Sequence, residues 1–131
     1  MDNGEIKMNS KTEEMLNRTF RFAVDTLKFL NALPPTTVNK VIINQLAKAA
    51  TSIGANYEES QAAESKDDFI HKIGIVSKEA RESKFWLRLL NELLKDENQK
   101  KQLKILLEES EQLCKIFISI KLTSQENKKS K

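Results

Sequence analysis

The chain has 131 residues, 39% hydrophobic and 31% charged, with 22 Lys and Arg against 19 Asp and Glu for a formal charge of +3. That length holds one domain with a core of its own, and the composition excludes disordered and collagen-like chains. Three Gly, two Pro, one His and one Cys leave few breaks, no internal disulfide and little material for nucleophile–base catalysis.

Residues 1–10 are polar and acidic with no apolar run, which predicts a disordered N-terminus and no secretory signal. The first helix follows, with Leu16, Phe20, Ala23, Leu27 and Leu30 at 4-3-4-3 spacing along one predicted core face. A second stripe, Met15, Phe22, Phe29 and Leu33, lies about 120° round the cylinder. The "LPP" at 33–35 stops this helix, because proline lacks an N–H and disfavours helix in the residue before it. Thr36 or Thr37 caps a second helix running to about Glu64. From 41 to 57 it is nearly uncharged all round, as a helix buried on every side would be.

The "SKDD" at 65–68 reads as a capping box that opens the third helix. Its core stripe is Phe69, Ile73, Val76, Ala80, Ser83, Leu87, Leu90 and Leu94. About 110° away run Ile75, Trp86, Leu89 and Leu93, with Glu79 and Glu82 among them. After a turn at 95–98, the fourth helix carries Leu103, Leu106, Ser110, Leu113, Phe117 and Ile120 on one conventional apolar face. Residues 123–131 read as a polar, basic tail. Residues 11–122 are therefore expected to form an all-α, antiparallel up-down-up-down four-helix bundle, since short connections join long helices.

Helices 1 to 3 carry more apolar surface than one bundle uses. Met15, Phe22, Phe29, Leu33, Ile75, Trp86, Leu89 and Leu93 are accordingly expected to form a homo-oligomer interface. The competing reading is a monomer with scattered exposed apolar residues, which are common on soluble proteins.

On helix 2, Gln45, Ser52, Asn56 and Glu59 fall within about 60° of one another. A hairpin turning at Ser65 sets Ser52 level with Glu79 and Ala49 level with Glu82. The reading preferred is a hydrogen-bonded seam that fixes register, because buried carboxylates need donors. A ligand or metal site at Glu59, Glu79 and Glu82 is the weaker alternative. Asp68-Phe-Ile-His71 is only a fragment of a di-iron carboxylate pattern, and His71 and Cys114 sit on different helices. No metal, cofactor or catalytic residue is expected.

The basic residues are uneven: residues 1–64 hold seven Lys and Arg against eight acids, residues 65–131 fifteen against eleven. On helix 3, Lys78, Arg81, Lys84 and Arg88 cover an arc of about 120°, with Lys95 within it. Repeated by symmetry, these charges become a positive belt for RNA or DNA phosphates. No aromatic residue is read as lining the arc, so contact is expected with the backbone, not the bases. The alternative is a solvated face with i,i+4 pairs such as Lys78–Glu82, and with Glu92 as the acidic neighbour of Lys84 and Arg88.

Two stretches carry a resemblance: "QLAKAATSIGANYEES" (45–60) and "DFIHKIGIVSKEARESKFWLRLL" (68–90). They resemble the bacterial four-helix-bundle family encoded within intervening sequences of 23S ribosomal RNA genes. The shared positions are Gln45, Leu46, Lys48, Ala49, Ser52, Ile53, Asn56, Glu59, Phe69, Glu79, Ala80, Glu82, Ser83, Trp86 and Leu87, with Tyr57 where the family usually has Ile. The resemblance implies a ring-like homopentamer. Related proteins are accessory factors of diversity-generating retroelements, in which a basic pentamer engages nucleic acid and a reverse transcriptase. The expectation for this chain is thus a non-enzymatic oligomer that binds nucleic acid, with a scaffold for a partner enzyme as the alternative. The lone Cys114 suits the cytoplasm, and no apolar run approaches the roughly 20 residues of a membrane span.

Overall fold

A computed structural model of the chain describes residues 9–129. The described residues form four helices and no strand: α1 (Ser10–Asn31), α2 (Thr37–Ser60), α3 (Lys66–Leu93) and α4 (Glu97–Lys129). α3 packs extensively on α2 and α4, while α1 packs on α2 and more lightly on α4. All four contribute to one apolar core, an arrangement consistent with a four-helix bundle. No described helix is long and apolar enough to cross a membrane. The disorder expected for residues 1–10 falls almost wholly outside the described residues, although Ser10 already belongs to α1.

Side-chain oxygens set the starts of the helices by satisfying amide groups that have no partner within the helix. The Asn9 carboxamide accepts from the Lys11 N–H at 2.7 Å and the Thr36 hydroxyl from the Asn39 N–H at 3.1 Å. Ser65 accepts from the Asp68 N–H at 3.0 Å, and Asp68 reaches back to accept from the Glu64 N–H at 3.1 Å. Asp96 caps α4 through the Gln99 N–H.

Two boundaries differ from expectation. α2 stops at Ser60, four residues short, because the amides of Gln61, Ala62 and Ala63 turn to carbonyls three residues back, the tighter closure common at helix ends. α4 continues to Lys129 instead of ending at 122. Gln125, Glu126, Lys128 and Lys129 favour helix, the Ser124 hydroxyl donates back to the Ile120 carbonyl at 2.8 Å, and Lys128 pairs with Asp67 at the start of α3.

The core faces of α3 and α4 are those the spacing predicts: Ile73, Val76, Ala80, Ser83, Leu87 and Leu90 are buried on one, and Leu103, Leu106, Ser110, Leu113 and Phe117 on the other. On α1 the second stripe turns inward, and of the expected core stripe Leu30 is buried and Leu16 packs against the core. Phe22 is 2% exposed and Phe29 and Leu33 are also buried, whereas Phe20 is 58% exposed and Leu27 42%. The inward stripe is completed by Thr19 and Thr26, both fully buried. Thr19 suits that position because its hydroxyl donates back to the Leu16 carbonyl at 3.1 Å, leaving a small and locally satisfied side chain. Gly54 of α2 packs against this face, where a Cβ would lie 3.4 Å from the Thr19 backbone. α2 and α1 meet closely at this point.

Other expectations about apolar surface are also revised. α2 is buried along Ile42, Leu46, Ala49, Ala50, Ile53, Gly54 and Tyr57, but Val38, Val41 and Lys48 are exposed, so it is not enclosed on every side. α4 is less conventional than its heptads suggest, with Ile105, Ile118 and Leu122 exposed. Tyr57, the departure from the family pattern, is buried edge-on against Phe117 with ring centroids 5.2 Å apart.

Gly74 contrasts with Gly54. A Cβ at Gly74 would meet only the end of the flexible Lys121 side chain, at 3.4 Å. Gly74→Ala is expected to stabilise the chain by about 0.5–1 kcal/mol, because alanine loses less backbone entropy in a helix. A rise in urea midpoint at constant m-value checks it.

Candidate nucleic-acid interface

α3 places its basic residues by helical spacing alone. Lys78, Arg81 and Arg88 are exposed, Lys84 is half-buried, and Lys95 is exposed just past the helix end. From Lys78 to Arg88 the row runs about 15 Å at 1.5 Å per residue. Lys84 and Arg81 approach α4 closely enough to oppose the rise in the Cys114 thiol pKa, which burial drives and Glu111 adds to. Lys84 and Arg81 therefore lie on the α4 side of α3.

None of these five cations belongs to an ion pair of the described chain. The paired ones are elsewhere: Arg18 with Glu109, Arg21 with Asp25, Lys72 with Asp68 and Lys128 with Asp67. The i,i+4 partners available to the arc, Glu82 for Lys78 and Glu92 for Arg88, are not engaged by it. Glu82 instead accepts from the Trp86 indole N–H at 3.4 Å.

The arc is not free of aromatics, contrary to the sequence reading. Phe85 is 52% exposed, lying four residues after Arg81 and three before Arg88, the spacings that bring side chains together on a helix. Its ring meets Trp86 edge-on with centroids 5.0 Å apart. The signal was present in the sequence, but Phe85 belongs to neither apolar stripe of α3.

The expected polar seam is assembled only in part. The Asn56 carboxamide donates to the Ser52 carbonyl at 2.8 Å, within its own helix. Gln45 and Glu59 are exposed, and among the described residues no hydrogen bond joins these α2 groups to Glu79 or Glu82. Glu59 acts on Lys72. Glu79 is raised above the usual carboxylate range, first by burial and then by Glu82, with Lys78 and Lys48 opposing. The α2 residue that acts on Glu79 is thus Lys48.

A carboxyl with a raised folded-state pKa contributes stability that is present in acid and lost as pH rises through that pKa. Glu79→Gln is therefore expected to leave the chain at least as stable at neutral pH and to flatten the pH dependence of its urea midpoint between acid and neutral.

Among the described residues no three His, Cys, Asp or Glu side chains gather as a metal site. Asp68 and His71 do not pair as a metal motif, since Asp68 is occupied as a helix cap and by Lys72 at 2.7 Å. Cys114 is buried while His71 is exposed. With Cys114 level with Arg81, His71 lies about 15 Å away along α3.

Of the residues assigned to an oligomer interface, Phe22, Phe29 and Leu33 are enclosed in the chain's own core. That corrects their assignment. Met15 is half-buried against the same core. On α3, Ile75, Trp86 and Leu89 are half-buried and Leu93 is exposed. The apolar residues actually open to solvent on α1 and α2 are Phe20, Leu27, Val38 and Val41. Beside Leu27 an open groove of about 620 Å³ separates α1 from α2, floored by Leu30, Leu33, Ile43 and Ala47.

Comparison with known proteins locates the chain. The family model of the 23S rRNA-intervening sequence protein matches residues 11–119. The chain belongs to this family. The match spans α1 to α3 and α4 as far as Ser119, so the whole basic arc lies inside it. A crystal structure of a protein with unknown function from the S23 ribosomal protein family of Bacteroides thetaiotaomicron VPI-5482 is 33% identical, with a TM-score of 0.68 over 81% of this chain and 96% of that chain. Curated proteins gave no match. The family resemblance read from "QLAKAATSIGANYEES" and "DFIHKIGIVSKEARESKFWLRLL" is thereby established for the family, while the family description assigns no reaction.

Proposed function

We propose that this chain is a non-enzymatic, cytoplasmic, self-associating helical bundle that holds RNA or DNA through phosphate contacts from α3. The observation that carries the reading is the row Lys78, Arg81, Lys84 and Arg88, exposed except for the half-buried Lys84 and without ion-pair partners in the described chain. A row with i,i+4 acids within reach and left unpaired is suited to an external anion. Lys95 extends it past the end of the helix.

The bundle reading takes an antiparallel up-down-up-down course. Lys128 beside Asp67 and Lys121 beside Gly74 support opposite directions for α3 and α4. Thr19 beside Gly54 and Tyr57 in reach of Thr12 support the same for α1 and α2. Self-association rests on the open apolar residues of α1 to α3, and the resemblance implies a ring of five copies. Symmetry would multiply the row into a belt, raising charge density without further sequence.

The alternative is a scaffold that engages a partner enzyme, with the cations only solubilising it. Ile105, Ile118 and Leu122, exposed on α4, favour that reading. The deciding experiment measures binding of labelled RNA and DNA at low salt, for the parent and for the Arg81→Ala, Arg88→Ala double variant. Loss of two charged contacts is expected to weaken binding of every sequence uniformly. No binding by the parent at low salt leaves the scaffold as the function.

A further inference from the structure

We infer that Phe85 is a stacking platform for an unpaired base, so that the α3 face takes single-stranded nucleic acid in preference to duplex. The inference rests on the phosphate-binding reading above and specifies its ligand. Phe85 stands seven residues after Lys78, four after Arg81 and three before Arg88, and on a helix those spacings place all four on one face. The ring is held there. Trp86, half-buried and packed against the core, meets it edge-on at 5.0 Å and 79° between planes, while the Trp86 indole N–H donates to Glu82. One aromatic thus fixes the other.

The chemistry of the surroundings selects the occupant. The carboxylates nearest the face are Glu79, beside Lys78; Glu82, held by the indole; Glu92, seven residues on; and, from α4, Glu111, which with Lys84 and Arg81 acts on Cys114. A protein surface laid over Phe85 would have to desolvate Lys78, Arg81 and Arg88 with no carboxylate supplied, which is costly. A nucleotide strand supplies an anion and a π-face at every step, and positive grooves with interleaved aromatics bind single strands in this way. In a duplex the bases are already stacked on one another, and the ring gains nothing.

The test uses the full chain with a labelled mixed-sequence strand of about 12 nucleotides, within the usual span for such sites, and a hairpin duplex of the same composition. Phe85→Ala is expected to lower single-strand affinity by about 5-fold to 150-fold, the usual range for one stacked base. Duplex affinity and the salt slope should stay those of the parent, and Phe85→Tyr should retain single-strand binding. Three results would overturn the inference in different ways. Unchanged single-strand affinity, or equal loss on both ligands, removes the stacking role and leaves the phosphate reading standing. A fall in assembly mass for Phe85→Ala makes the ring an interface between copies. A parent that binds neither ligand removes the phosphate reading itself.

Discussion

Replacing Phe22 by alanine is expected to destabilise the chain by about 3–5 kcal/mol, the usual cost of emptying a large aromatic from a packed core. The same change at Phe20, two residues earlier, is expected to fall within about 0.5 kcal/mol of the parent when both are measured at a dilution that leaves single copies, as surface substitutions usually do. Both residues are phenylalanines on one helix, so propensity and composition cancel in the comparison. The difference is burial: Phe22 is 2% exposed and lies in the core shared by all four helices, while Phe20 is 58% exposed. Neighbours limit collapse around an emptied Phe22 site. Thr19 and Thr26 flank it on α1, both fully buried, and the close α1–α2 approach at Gly54 restricts movement of the backbone. Urea unfolding of both variants checks the prediction, read as a change in midpoint at unchanged slope. Equal losses would mean that the α1 stripes are not sorted as described.

Binding of a single strand by the α3 row is expected to fall steeply with salt. Each phosphate neutralised releases condensed counterions, and for single strands the logarithmic slope is about −0.7 per contact. Four contacts, from Lys78, Arg81, Lys84 and Arg88, give a slope near −2.8 and an affinity loss of about 50-fold between roughly 50 and 200 mM salt. Removing Arg81 and Arg88 should halve the slope to about −1.4. In an oligomer that engages a strand through several subunits, the parent slope grows in proportion. A slope unchanged by the double variant would place the phosphate contacts elsewhere, with the lysines of α4 next to be tested.

Much of the fold was legible because its signals are local. The heptads of α3 and α4, the proline stop after α1 and the Ser65 cap rest on spacing and on the hydrogen bonds of a few neighbouring residues. α1 was not legible in the same way. It carries two apolar stripes of similar strength, and periodicity cannot say which one turns inward. The deciding information is non-local: Thr19 and Thr26 are small enough to bury, and Thr19 packs against Gly54 on another helix. Counting only apolar residues hides both threonines.

The candidate site divides along the same line. A row of cations on a helix is a matter of spacing, and Lys78, Arg81 and Arg88 stand together on the surface as expected. Whether Glu82 and Glu92 neutralise that row depends on side-chain geometry, and Trp86 takes Glu82 away. Phe85 lies outside every stripe and so leaves no periodic trace in the sequence. The seam failed for a related reason. Asn56 satisfies itself on its own helix at the Ser52 carbonyl, a local bond that competes with any bridge to α3.

What remains exposed decides whether the chain works alone. Phe20 and Leu27 on α1, Val38 and Val41 on α2, and Leu93 on α3 lie open to water, and a surface of that kind is ordinarily covered by a partner. Native mass spectrometry of the untreated chain, repeated for Phe20→Asp with Leu27→Asp, tests this most directly. The parent is expected at a multiple of the single-chain mass and the double variant at smaller species with its helices intact. A parent that stays a single chain across the concentration range would contradict self-association and, with it, the multiplied positive belt.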